Sequence, residues 1–216
     1  MSLIIFDFDG TIADSLEIFI EVTNRLAENF GYQQISSSQI SLFRTLSLRK
    51  MIQQLRVPAW KLPFFLRSFR KELNQLMIDL RLVDGMKEAL LDINQQNYRL
   101  GIVTSNSRQN VESFLQSQGL YHLFEFIYGG QVLSGKARIL KKLARQNRVA
   151  PKQLVFIGDE TSDVKSAKQV GLKNIAVSWG FNNREVLVES APDVLIDSPE
   201  QLLTAIDRVS NTMRVS

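Results

Sequence analysis

Cysteine is absent from this 216-residue chain, and histidine occurs once, as His122. The first absence excludes disulfides, thiol catalysis and cysteine-ligated zinc. The second argues against a histidine-centred triad and against a multi-histidine metal site. Long apolar runs are missing too. Leu3–Phe6, the strongest near the start, is soon cut by Asp7 and Asp9, and is too short for a signal-peptide core or a membrane span. The expected location is cytoplasmic, without a membrane partner. Nor does one sign of charge dominate: 26 Lys+Arg stand against 22 Asp+Glu, a net charge of +4. That surplus is too mild to argue for nucleic acid without a clustered basic face, but it suits an anionic substrate. With 44% hydrophobic and 22% charged residues, the composition is that of an ordinary globular protein, not a disordered tail, a collagen-like fibre or a coiled coil.

What is present alternates. Leu3–Phe8 reads as a buried strand closed by Asp9-Gly10-Thr11. A helix follows over Ser15–Asn29, with Ile18, Val22 and Leu26 at a spacing of four and Asp14 or Ser15 as its N-cap. Residues 36–80 read as further helices, in which Phe64, Phe65 and Phe69 form an aromatic stripe assigned to their core. From Val83 onward, helices over Gly85–Asn94, Ser107–Gln118, Lys136–Asn147 and Asp163–Val170 interleave with strands at Leu100–Thr104, Glu125–Tyr128, Leu154–Ile157 and Asn174–Val177. Val194–Ile196 and a helix over Pro199–Val209 complete the series. Such alternation predicts an α/β fold, a doubly wound and mostly parallel sheet covered on both faces. The helical block interrupts it, which predicts a discontinuous core, 1–14 plus 82–216, carrying an inserted all-helical domain over 15–81.

Ligands of open α/β sheets bind beyond the carboxyl ends of the strands. Three polar groups fall at such ends: Asp7-Phe8-Asp9-Gly10-Thr11, Thr104-Ser105-Asn106, and Gly158-Asp159-Glu160-Thr161-Ser162-Asp163. Asp7 and Asp9, two apart on an extended chain, share a face. Carboxylates so close resist joint ionisation unless a cation lies among them. With Asp159, Glu160 and Asp163 added, a hard divalent cation with oxygen ligands, above all Mg²⁺, would offset the repulsion and accept a phosphate oxygen. Thr104 and Ser105 offer hydroxyls to phosphate, Gly10 lets the backbone approach a ligand, and Lys136, after Ser134-Gly135, supplies a point charge. Lys141 and Lys142 lie close to it in sequence. One carboxylate can attack phosphorus while a second gives and takes the proton, roles that suit Asp7 and Asp9.

These residues resemble the haloacid dehalogenase superfamily. Asp7-Phe8-Asp9-Gly10-Thr11-Ile12-Ala13-Asp14-Ser15 is similar to its first motif, Thr104-Ser105-Asn106 to its second, Lys136 to the lysine of its third, and Gly158-Asp159-Glu160-x-x-Asp163 to its fourth. The stretches Gly171–Phe181 and Ala191–Asp197 look like phosphoglycolate-phosphatase-like members. The resemblance implies a Rossmann-like core with a helical cap that closes over the site. It implies Asp7 as nucleophile, Asp9 as general acid/base that also lends its backbone carbonyl to Mg²⁺, and Thr104 and Lys136 as holders of the phosphate. Asp7 and Asp159 would then ligate the metal, with Asp163 ligating it or orienting a metal-bound water. Two features depart from the pattern: Gly135-Lys136-Ala137-Arg138 lacks the Lys-Pro of many relatives, and Ser162 stands where many carry Arg.

Each residue also has a plainer reading. Asp159 and Asp163 could be a helix cap and a first-turn acid, Glu160 merely dipole-matched, and Asn106 a helix cap or positioning residue. His122 reads as structural, and Trp179 and Phe181 as packing under the site rim. Relatives place a substrate-facing loop near Phe43–Lys50, so Arg44 or Arg49 could clamp a substrate carboxylate; the alternative is solvated surface cations. Residues 15–80 carry 9 Lys+Arg against 5 Asp+Glu, enough to draw small phosphate anions toward a cleft. The expected activity is Mg²⁺-dependent hydrolysis of a small phosphorylated metabolite such as phosphoglycolate, by a monomer or homodimer. The rivals are a sugar-phosphate mutase of the same superfamily and a non-catalytic regulator on the same scaffold.

Overall fold

The computed structural model of the chain describes residues 2–46, 48–76, 80–130, 135–146 and 153–211. The side chains of Leu48, Arg49, Ile52 and Asn211, together with Ser47, Ser134 and Asn147, lie outside what is described.

Six strands form one parallel sheet: β1 (Leu3–Phe6), β2 (Arg99–Val103), β3 (Phe124–Tyr128), β4 (Leu154–Gly158), β5 (Lys173–Val177) and β6 (Val194–Ile196), in the order β3-β2-β1-β4-β5-β6. β1 is flanked on both sides and fully buried, which is why it carries no polar residue. Its side chains alternate between two cores. Ile4 and Phe6 join a cluster with Leu90 and Ile93 of α5 (Met86–Gln95), Phe114 of α6 (Arg108–Ser117) and Ile206 of α10 (Leu202–Asn211). Leu3 and Ile5 face Ile139, Leu140 and Leu143 of α7 (Lys136–Gln146) and Ala167 of α8 (Thr161–Gln169). The period-two alternation of β1 thus fixes which helices cover which face.

Between β1 and α5, four α-helices are described, α1 (Leu16–Phe30), α2 (Ser37–Phe43), α3 (Leu48–Gln54) and α4 (Leu62–Leu76). Gly31 closes α1 at φ 75°, its N–H donating to the Ala27 carbonyl. Val22, Leu26 and Phe30 of α1 pack with Phe43, Met51, Leu55 and Phe65 in a cluster separate from the sheet's cores. Phe65 is the hub, edge-on to Phe30 at 5.4 Å and to Tyr32 at 5.9 Å. One expectation for this block fails. Phe64 is 64% exposed, because adjacent helical residues point about 100° apart and only one of the pair can face inward. The block joins the sheet through two antiparallel segments: Asp14 N–H donates to the Arg81 carbonyl (2.9 Å) and Val83 N–H to that of Ile12 (3.0 Å). Among the described residues no helix is long and apolar enough to cross a membrane.

Element ends moved by one or two residues from the sequence expectation. A short helix, α9 (Arg184–Glu189), was not anticipated. Pro199–Gln201 is a 3₁₀ turn leading into α10.

Candidate active site

In the strand order, the chain reverses direction of winding between β1 and β4, so the gap beyond their carboxyl ends is the natural ligand crevice. Asp7 follows β1, Asp159 follows β4, and Thr104 follows β2 on the other side of β1. Asp7 is pinned to β4 by its N–H, which donates to the Ile157 carbonyl at 2.8 Å. Its Oδ1 accepts from the Phe8 N–H at 2.7 Å, and its Oδ2 receives the Lys136 ammonium. The same ammonium donates to Asp163 Oδ1 at 2.6 Å. Oxygens of Asp7, Asp159 and Asp163, all buried, lie within 4.8 Å of one another.

Asp159 is fully buried and held at both oxygens. Thr11 Oγ1 donates to its Oδ1 (2.7 Å) and the Phe181 N–H to its Oδ2 (2.7 Å). Two glycines let these loops close on it. A Cβ on Gly10 or on Gly180 would stand 2.3 Å from Asp159 Oδ2, and Gly10 also needs its φ of +73°. Asp163 belongs to the first turn of α8, where its Oδ2 accepts the Glu160 N–H at 3.1 Å in a capping box. The plain capping role and the site role therefore coexist in one carboxylate. Glu160 is the N-cap residue and accepts from Ser162 Oγ at 2.8 Å.

Asp9 leaves the strand in a tight turn whose Gly10 N–H donates to Ser15 Oγ at 3.1 Å. The N-cap position of α1 is thus Ser15, but its hydroxyl serves the turn and not the helix. Asn106 Nδ2 lies 3.1 Å from each Asp9 oxygen. Ser107, not Asn106, caps α6, which leaves Asn106 free to orient Asp9. Thr104 is buried, its N–H bound to the Tyr128 carbonyl and its Oγ1 accepting from the Asn106 N–H at 3.0 Å. Ser105 is exposed beside it.

Burial first, and neighbouring charges second, shift the carboxyls of this cluster. Burial, reinforced by the Asp7 charge, pushes the Asp9 carboxyl up to about 7. Burial raises Asp163 to about 7 despite the opposing pull of Lys136. Asp159 is driven well above the usual carboxylate range by burial and then by Asp7, Asp163 and Glu160, and Glu160 is raised chiefly by burial. Burial alone would lower Lys136, but Asp163 and Asp7 outweigh it and hold the ammonium firmly charged. Two unit charges about 5 Å apart repel by about 3 kcal/mol at an effective dielectric near 20. Three ionised carboxylates and one ammonium sum to −2, the charge a divalent cation offsets. Without such an ion, burial and mutual repulsion favour the protonated forms of Asp159 and Asp163. An all-oxygen donor set in which an ammonium already bridges two of the three acids fits Mg²⁺.

Several predicted residues do not converge here. Arg44 Nη2 donates to the carbonyls of Ser178 and Gly180, each at 3.0 Å, so it grips the β5–α9 loop and does not stand as a free clamp for a substrate carboxylate. The Arg49 side chain lies outside the described residues. Thr11, Gly180 and the Phe181 N–H were missing from the sequence-based site. Thr11 had a signal, its place directly after Asp9-Gly10; Gly180 and Phe181 lay in the family-like stretch after β5, but nothing there pointed to Asp159. Trp179 reaches the same turn, its Nε1–H donating to the Thr11 carbonyl at 3.0 Å.

A match to the haloacid dehalogenase-like hydrolases spans residues 4–177, from β1 through β5. The chain belongs to that family. The three polar strand-end groups, after β1, β2 and β4, all lie within the matched span. A phosphoglycolate phosphatase of Synechococcus elongatus is 38% identical over 209 residues, covering 97% of this chain and 99% of that protein. One from Aliivibrio fischeri is 27% identical, covering 95% and 96%. A haloacid dehalogenase-like hydrolase structure from Streptococcus pneumoniae superposes with a TM-score of 0.82 at 22% identity, over 95% of this chain and 98% of that one, which speaks to the fold alone.

Proposed function

We propose that this hydrolase is a Mg²⁺-dependent phosphatase of small phosphate monoesters, with phosphoglycolate as the leading candidate substrate. The observation that carries the reading is the convergence of Asp7, Asp159, Asp163 and Lys136 beyond β1 and β4. The substrate assignment is supported by the phosphoglycolate phosphatase of Synechococcus elongatus, which this chain matches end to end.

Asp7, Asp159 and Asp163, with the Asp9 backbone carbonyl, would hold Mg²⁺, which when bound draws charge from the phosphoryl oxygens. Asp7 attacks phosphorus; its new O–P bond forms as the ester O–P bond breaks. Asp9, kept near neutral pH by burial and steered by Asn106, gives its proton to the departing oxygen. It then takes a proton from the water that cleaves phospho-Asp7, releasing inorganic phosphate and restoring both carboxyls. Lys136, which already donates to Asp7, and the Thr104 hydroxyl bind the phosphoryl group. Residues 1–14 and 82–216 make the catalytic core, and residues 15–81 make a cap that excludes bulk water.

Phosphate release from a panel of small phosphate esters, with and without Mg²⁺, tests this reading. Release should require the metal, and isomer formation without release would point to a mutase. Asp7→Asn should lower turnover by at least about a thousandfold with an unchanged circular dichroism spectrum; retained activity would remove Asp7 as nucleophile.

A further inference from the structure

The segment that ends α2 meets the core at the loop between β5 and α9. Arg44 Nη2 donates to the Ser178 and Gly180 carbonyls. In return, Asn182 Nδ2 donates to the carbonyls of Arg44 (3.2 Å) and Leu46 (2.9 Å). The Asn183 N–H donates to the Arg44 carbonyl at 3.0 Å. Phe19 of α1 adds an edge-on contact to Phe181 at 5.3 Å.

The same loop supports the acidic cluster. Asn182 is fully buried, and its Oδ1 accepts the Thr161 N–H at 2.9 Å, in the first turn of α8. The Phe181 N–H holds Asp159. Within three consecutive residues, the Gly180 carbonyl faces Arg44, the Phe181 N–H faces Asp159, and the Asn182 side chain faces both the insertion and α8. So short a stretch cannot release one partner without shifting the others.

We infer that Arg44 and Asn182 are positioning residues that form a catch: seating the helical insertion on the β5–α9 loop sets the orientation of Asp159 and of the turn that carries Asp163. Two features make the catch reversible. The Arg44 guanidinium meets only carbonyls, with no carboxylate at ion-pair distance among the described residues. Its Nε is buried without a partner, a cost that the seated arrangement carries and a solvated one does not. The inference goes beyond the phosphatase reading and rests on it only for the kinetic arm of its test.

Amide exchange by NMR on the full chain, residue by residue, decides the matter. In Arg44→Ala the Asn183 and Phe181 amides should exchange about tenfold faster, while those of Ile4 and Ile5 stay within about twofold. Asn182→Asp keeps an acceptor for the Thr161 N–H but loses both donors to the insertion. It should release Asn183 and Phe181 while leaving Thr161 protected. Arg44→Lys, which can still donate to both carbonyls, should restore most of the protection. With p-nitrophenyl phosphate and Mg²⁺, Arg44→Ala should lower kcat about tenfold, and Arg44→Lys should recover it. Unchanged Phe181 exchange in both Arg44→Ala and Asn182→Asp would overturn the inference. So would a uniform rise that includes β1, which would mean plain destabilisation. If the wild-type protein hydrolyses no phosphate ester, the phosphatase reading fails, and the exchange measurements still decide the catch.

Discussion

The sheet core and the helical insertion bury their apolar residues in different ways. In the core, β1 and β4 are covered on both faces and along both edges, and every residue of each strand is buried. In the insertion, α4 buries one residue fully, Phe65, and its other apolar side chains are partly wet. The clustered carboxylates all sit on the first region, while the second contributes contacts such as those of Ser15 and Arg44. A rigid sheet edge can hold three repelling carboxylates in register because its backbone cannot relax away from them. A loosely packed insertion suits the cap role proposed for it.

The largest effect expected from this contrast is at Phe6, which is fully buried at the centre of the sheet. Phe6→Ala should cost about 3–5 kcal/mol in urea unfolding, the usual range for deleting a packed ring. A cost near 1 kcal/mol would mean that the sheet core is as yielding as the insertion, and the contrast would be gone.

The same difference explains what could be read from the sequence. A strand buried on both faces must be apolar throughout, so Leu3–Phe6 and Leu154–Ile157 announced themselves, and the acids immediately after them fell by geometry at the sheet edge. Asp7, Asp9 and Asp159 stood out for that reason, whereas Asp163 and Lys136, on helices, stood out by their charge and by the family resemblance. Asn182 was not, since its partners Arg44 and Leu46 are far away in sequence and nothing local marks it. Arg44 was noticed as either a substrate clamp or a solvated cation, and its Nη2 in fact meets two carbonyls of the core. The short helix Arg184–Glu189 escaped because only Leu187 of its residues is buried, too little for a periodic apolar pattern.

A middle-sized effect is expected at Phe65. It is the hub of the insertion, but the neighbours around it are half-exposed and can close on a vacancy. Phe65→Ala should therefore cost about 2–3 kcal/mol, toward or below the low end for a buried ring. Amide exchange should localise the loss to α1 and α4 and leave β1 and β4 protected. Equal loss of protection in the sheet would show the two regions unfolding as one unit.

The smallest effect sharpens the comparison most, because it changes the neighbour of the hub. Phe64 precedes Phe65 on α4 and carries the same ring, yet it is 64% exposed while Phe65 is 2% exposed. Its ring has little protein surface to lose, and helix propensity favours alanine over phenylalanine by only a few tenths of a kcal/mol. Phe64→Ala should accordingly shift stability by no more than about 0.5 kcal/mol in either direction. The pair Phe64→Ala and Phe65→Ala thus separates burial from residue type within one turn of helix. A cost at Phe64 approaching that at Phe65 would show that the outer face of α4 is covered in solution, and the insertion would then be packed on both sides much as the sheet is.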